Sequence, residues 1–141
     1  MMDKIEDFHK LMAMIRSKDT LGVVLLLESH KDSGICVVHL EDVLFETPIS
    51  EAIDHYAGDV TIIKALIDAG ANTSNFCYDM YTPLMKAASV GELQIVDMIL
   101  RQEVSVNEQN YDGDTALDIA IRHNHEDVVD LLLLHKAERG H

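Results

Sequence analysis

Thr82-Pro83-Leu84 returns as Thr115-Ala116-Leu117, 33 residues later, and is preceded by Thr47-Pro48-Ile49, 35 residues earlier. The rest of the unit keeps step. Ala87 maps to Ala120, Ile95-Val96 to Val128-Val129, and Met98-Ile99-Leu100 to Leu131-Leu132-Leu133. In the earlier copy Gly58 aligns with Gly91, Val60 with Leu93, and Ile62-Ile63 with Ile95-Val96, with two extra residues between Thr47 and Gly58. A period of this size describes a supersecondary unit too small to bury its apolar face alone, which therefore packs on copies of itself.

Each unit reads as two short antiparallel helices. Thr is a good N-cap, and Pro suits the first helical position, where its missing N–H would have no partner anyway. Leu84, Ala87 and Ala88 put small and apolar residues on one face, so neighbouring helices can approach closely. Gly58, Gly91 and Asn124 tolerate the left-handed conformation that ends a helix. The second helix is apolar at Leu93, Ile95-Val96 and Met98-Ile99-Leu100. That stripe is too wide for a lone surface helix and needs cover on two sides. The pattern predicts helix pairs starting near Thr47, Thr82 and Thr115, with second helices near 60–69, 93–101 and 126–135.

These elements together resemble the ankyrin repeat, and the likeness is strong over residues 47–134. The linkers agree with it. Gly70-Ala71-Asn72 and Ser105-Val106-Asn107 are similar to the stretch that leads into that family's β-turn finger, and Asp112-Gly113 before Thr115 is similar to the finger turn. The resemblance implies an all-α ankyrin-repeat solenoid of helix–turn–helix units with β-turn fingers, forming a single domain over residues 1–141. Its repeats would fall at about 3–34 (an N-terminal cap), 41–74, 76–108 and 109–141 (a C-terminal cap). In the first of these, Phe8–Ile15 and Gly22–Leu27 match a helix pair without a Thr-Pro start, with Asp3, Lys4, Glu6, Asp7 and Lys10 turned to water. The longer connection from Ser33 to Glu46 reads as an extended hairpin over Ile35–Leu40 and Val43–Phe45. The chain also departs from the family. The histidine that often follows Thr-Pro-Leu is Ser50, Met85 and Asp118 here, which removes its usual hydrogen bond to the preceding turn. Met80 and Phe45 stand where a finger glycine is usual, which predicts unusual shapes for those two fingers.

Composition excludes several function classes. The chain has 141 residues, 48% of them hydrophobic, enough for a sizeable core. No apolar run approaches the roughly 20 residues of a membrane-spanning helix. The first residues show no apolar leader. The formal net charge of −14 opposes binding to nucleic acid or anionic membranes and favours a protein partner with a basic or mixed-charge surface. Two cysteines, Cys36 and Cys77, make no disulfide framework and fit a reducing, cytoplasmic setting. For an ankyrin effector delivered into a host cell, that setting would be the host cytosol.

The apparent chemical motifs are weak. Asn110, Asp112 and Asp114 have the alternation of a calcium loop, but Thr115 and Ile121 occupy the positions where such a loop needs Gly and Glu. A polar turn before an N-cap explains them. His123, His125 and Glu126 lack the spacing that puts two metal ligands on one helix face, and Cys36 with His39 has no second pair. They read as solvent-exposed turn residues, with a pH-dependent binding contribution from His123 or His125 still open. Neither cysteine has an activating neighbour in sequence, and no nucleophile elbow or phosphate loop is present. The expectation is a non-catalytic chain with no cofactor and no metal.

The finger before the third repeat exceeds this background. It reads Phe76-Cys77-Tyr78-Asp79-Met80-Tyr81, with three of the chain's seven aromatic residues. In ankyrin register these positions face a concave surface, as does Tyr111 one repeat later. The resemblance implies a partner-binding surface built from Phe76, Tyr78, Asp79 and Tyr81, then Gln109, Tyr111, Asp112 and Asp114, with Asp54, Ser89 and Arg122 from first helices. Exposed aromatics would supply most of the affinity, and the aspartates would steer a basic partner. In the competing reading Phe76 and Tyr81 pack between fingers in compensation for the missing glycine. At the level of the whole chain, the expected function is a monomeric protein–protein interaction module. The alternatives are an architectural homo-oligomer and a secreted effector.

Overall fold

A computed structural model describes residues 4–29, 47–55, 60–74, 76–77 and 80–140 of the chain. The expected hairpin between 35 and 45, Gly58, Tyr78 and Asp79 lie outside the described residues. Among the described residues there are eight α-helices and no β-strand. They are α1 (Lys4–Arg16), α2 (Thr20–Ser29), α3 (Pro48–Asp54), α4 (Thr61–Asp68), α5 (Pro83–Val90), α6 (Leu93–Leu100), α7 (Ala116–Arg122) and α8 (Glu126–Leu134). The chain divides into two compact units, Met1–Asn72 and Thr73–His141.

The three expected helix starts are capped as their sequences predict. Thr47, Thr82 and Thr115 are extended N-caps whose hydroxyls accept from the amides of Ser50, Met85 and Asp118 at 3.3, 3.2 and 3.3 Å. The position of the family's histidine does not fall silent in the last two repeats. Met85 Sδ accepts from the Thr82 amide at 3.5 Å, and Asp118 Oδ2 accepts from the Thr115 amide at 3.0 Å. Each closes a reciprocal box that pairs two amides a helix start would otherwise leave bare.

In the first unit α1 lies on α2 and α3, and α4 covers α2 and α3. Phe8, Leu11, Met12 and Ile15 of α1 meet an interior that includes Val23, Leu26, Ile49, Ile53, Ile63 and Leu66, all buried. Asp7 is also buried, at 1% exposure, and is not on the water-facing side expected of it. It sits one residue before Phe8 and four before Leu11, so helical periodicity turns it toward the same apolar stripe. Glu51, buried in α3, is matched by Arg16 Nε at 2.6 Å and His55 Nε2 at 3.0 Å.

The second unit repeats this plan, with α5 on α6 and α7, and α8 on α6 and α7. Ala87 and Ala120 are fully buried, and their small side chains allow α5 and α7 to pack face to face. Ile95, Val96 and Ile99 of α6 and Val128 and Leu132 of α8 fill the other layer. Each such buried aliphatic side chain contributes about 1.5–3 kcal/mol.

The turns use left-handed residues where the sequence supplies them, and elsewhere impose that conformation. Gly91 (φ 80°) and Asn124 (φ 58°) end the first helices of the second unit, and Lys18 (φ 60°) does the same after α1. At the ends of second helices Gly70 (φ 94°) and Lys136 (φ 64°) form matching caps. There Ala71 donates to Leu66 O and Ala137 to Leu132 O, both at 3.0 Å.

Candidate functional site

The finger at residues 109–114 is built around one side chain. Asn110, buried, accepts from the amides of Asp112 and Asp114 through Oδ1, both at 2.9 Å. Its own amide donates to Asp114 O at 2.9 Å, and the Gly113 amide donates to Asn110 O at 3.0 Å. This explains the Asn110, Asp112, Asp114 alternation: the asparagine oxygen serves the turn, and the Asp114 carboxylate, 4% exposed, takes Arg122 Nη2 at 2.6 Å. The polar pattern therefore shapes a finger.

The finger at 76–81 has the same frame despite lacking glycine. Cys77 donates to Tyr81 O at 2.8 Å and Met80 to Cys77 O at 2.9 Å, one repeat before the matching pair. Met80 adopts φ 64°, close to the 81° of Gly113. The unusual shape expected of this finger is thus corrected. The ladder and the packing of buried Cys77 hold a methionine in the conformation a glycine would take. The other finger expected to be unusual, at Phe45, lies outside the described residues.

On this frame the predicted site residues separate. Tyr111 stands 88% exposed at the tip of its finger, with Gln109 and Asp112 also exposed beside it. Phe76 is at the edge of exposure and Tyr81 is half-buried. Tyr81, Asp114 and Arg122 come together. The hydrogen bond and charge of Asp114 raise the Arg122 pKa above its usual value, with a smaller contribution from the Tyr81 phenol. Asp114 is consequently committed to Arg122 and is not turned to solvent. Ser89 is half-buried, and its carbonyl lies 3.1 Å from His125 Nε2. Asp54 is exposed on α3 in the other unit.

Two arrangements escaped the sequence reading. His125 is not a solvent-exposed turn histidine: it is half-buried, reaches back to Ser89, lies against Gly91 and stacks on His123 with ring centroids 6.0 Å apart. Asp118 is buried and receives donors from Thr115, Arg139 and Gly140. Burial alone would raise its pKa. The Thr115 and Gly140 amides, the Arg139 guanidinium and the Thr115 hydroxyl outweigh that and hold it at about 2. The spacing of Thr115 and Asp118 was a readable capping signal. The two donors from the tail were not, because they come from 21 and 22 residues away. Among the described residues no cluster of three or more His, Cys, Asp or Glu side chains could hold a metal ion, and no helix is long and apolar enough to cross a membrane.

A family model for ankyrin repeats in three copies matches residues 11–110 and, again, 49–140. The chain belongs to the ankyrin-repeat family. Ankyrin repeats are protein-interaction modules, so a protein partner is implied at that level. The chain is 40% identical over 89 residues to a protein of Oryza sativa subsp. japonica named "Probable E3 ubiquitin-protein ligase", and 40% identical over 80 residues to an Arabidopsis thaliana E3 ubiquitin-protein ligase. These matches cover 63% and 55% of this ankyrin-repeat chain but only 17% and 15% of the two relatives. A Fowlpox virus (strain NVSL) protein named for its ankyrin repeats is 30% identical over 81 residues, 55% of this chain and 24% of the viral one.

Proposed function

We propose that this chain is a non-catalytic, monomeric binding module whose protein partner docks on the fingers and the adjoining ends of first helices. The observation that carries this reading is Tyr111, a large aromatic 88% exposed on a turn that Asn110 braces with two hydrogen bonds. An aromatic with few rotatable bonds on a fixed support loses little entropy on binding and desolvates a large area. Phe76 adds a second apolar contact, and Gln109 and Asp112 offer polar ones. Tyr78 and Asp79 belong to the same reading on the strength of repeat register, and Asp54 holds the corresponding register position within the first unit. Asp114, Tyr81 and Ser89 hold the finger and the helix end in place, and Arg122, its side chain 55% exposed, offers a further contact.

The net charge of −14 supports a basic or mixed-charge partner surface and not a nucleic acid. The reading takes residues 1–141 as one domain of four repeats in the cytoplasm; four successive helix pairs support the repeat count. Ligase activity is not carried over, because the likeness to the plant proteins covers so little of their length.

Affinity capture with the full chain, followed by mass spectrometry, supplies the partner. Tyr111→Ala should then weaken its binding by roughly 1 kcal/mol or more without loss of helicity, while Asp97→Ala, on α6, should leave it unchanged. A partner that ignores Tyr111 and responds to Asp97 removes the finger surface from consideration. A chain that sediments as a stable dimer through this face would establish the homo-oligomer instead.

A further inference from the structure

After α8 the chain turns at Lys136 and runs back along the last finger, where its backbone is received by side chains of residues 107–118. Glu138 N–H donates to Asn107 Oδ1 at 2.7 Å, and the Thr115 hydroxyl, whose single proton is shared between Glu138 O at 2.8 Å and Asp118 Oδ2 at 3.2 Å, joins them. Arg139 Nε donates to Asp118 Oδ1 at 2.9 Å, and the Gly140 amide donates to Asp118 Oδ2 at 2.7 Å. Gln109 Nε2 reaches Gly140 O at 3.3 Å. A Cβ at residue 140 would overlap the Gly113 carbonyl, so the backbone approach there requires glycine.

Part of this is common to the repeats. Ser74 Oγ meets Glu103 O at 3.5 Å one repeat earlier, as Asn107 Nδ2 meets Lys136 O at 3.5 Å. The carboxylate is not common to them, since Met85 holds the place of Asp118 in the preceding repeat. Compared with the preceding repeat, the last one therefore adds a buried acceptor for a guanidinium beside a slot without room for a side chain. Bare, that carboxylate would lose two donors, one of them a guanidinium, which favours refilling by groups of the same kind.

We propose that this is a binding site for an extended peptide carrying Arg-Gly, filled in cis by Glu138–Gly140, and that a partner segment of the same chemistry competes with the tail. The partner role rests on the finger reading above, through shared Gln109; the site itself does not.

The test needs no partner protein. The probe is an end-capped peptide, Ala-Glu-Arg-Gly-His, added to the isotopically labelled full chain and followed through the Gly113 and Thr115 amide resonances. In the unaltered chain the Gly140 amide should exchange about tenfold more slowly than in the Arg139→Ala chain. Gly140→Ala, and separately Arg139→Ala, should release the tail, so that the peptide binds about tenfold more tightly than to the unaltered chain, where about nine molecules in ten are closed. Peptides with alanine in place of the arginine or the glycine should not bind. Equal peptide affinity for the unaltered and Gly140→Ala chains, equal binding of the glycine-lacking peptide, or unprotected exchange at Gly140 would each overturn the proposal. Those results would leave the Tyr111 surface standing, and loss of the Tyr111 surface would leave the peptide result standing.

Discussion

Met80 holds a backbone φ of 64°, the left-handed conformation that Gly113 holds at 81° one repeat later. For a residue with a Cβ that conformation costs about 1–2 kcal/mol. The Met80 side chain is 46% exposed and recovers only part of this by packing. Met80→Gly should raise stability by about 1 kcal/mol, read as a higher urea midpoint with an unchanged slope. A lower midpoint would mean that the methionine packs better than its exposure suggests.

Ala87 is fully buried where α5 packs on both α6 and α7. Ala87→Leu should destabilise by roughly 1–3 kcal/mol, because the added methylenes must push apart helices that pack on a fully buried alanine. Denaturant titration monitored by circular dichroism measures it. An unchanged midpoint would show that the α5–α7 contact yields without strain.

Gly91 faces the His125 ring, and a Cβ at residue 91 would run into it; the backbone is at φ 80°. Gly91→Ala should cost about 1–2 kcal/mol from the backbone alone, and more because His125 must leave the Ser89 carbonyl. Combining Gly91→Ala with His125→Ala should cost less than the sum of the two single changes. Strict additivity would show that the ring and the glycine do not compete for the same space.

Asp118 is held at about 2 in the folded chain against an ordinary 3.8. Between those values an unfolded chain binds the proton and the folded one does not, so falling pH favours unfolding. The contribution is complete above about pH 4 and disappears as pH drops through 2. Asp118→Asn should be less stable than the unaltered chain at neutral pH, and the gap should close between pH 4 and 2. Stability curves for the two proteins that stay parallel through that window would count against the assignment.

The repeat period, the three Thr caps, the wide apolar stripes and the left-handed turns at Gly91 and Asn124 were all legible in the residues, because each depends on neighbours within a few positions. The helix pairs and the ankyrin family followed from them. The ankyrin resemblance also places Tyr111 on a finger, where it is 88% exposed.

What the residues alone left open is of two kinds: local geometry masked by a competing signal, and contacts between groups far apart in sequence. Asp7 reads as part of the water-facing side of a capping repeat, yet its position on the stripe of Phe8 and Leu11 turns it inward. Met80 was expected to distort its finger, but the ladder between Cys77 and Tyr81 imposes the glycine conformation on it. His125 and Asp118 acquired their roles from Ser89, Arg139 and Gly140, residues 21 to 36 positions away. Short-range propensity determines which units form. Long-range packing decides which polar groups those units bury, because only the assembled chain brings the partners that make such burial tolerable.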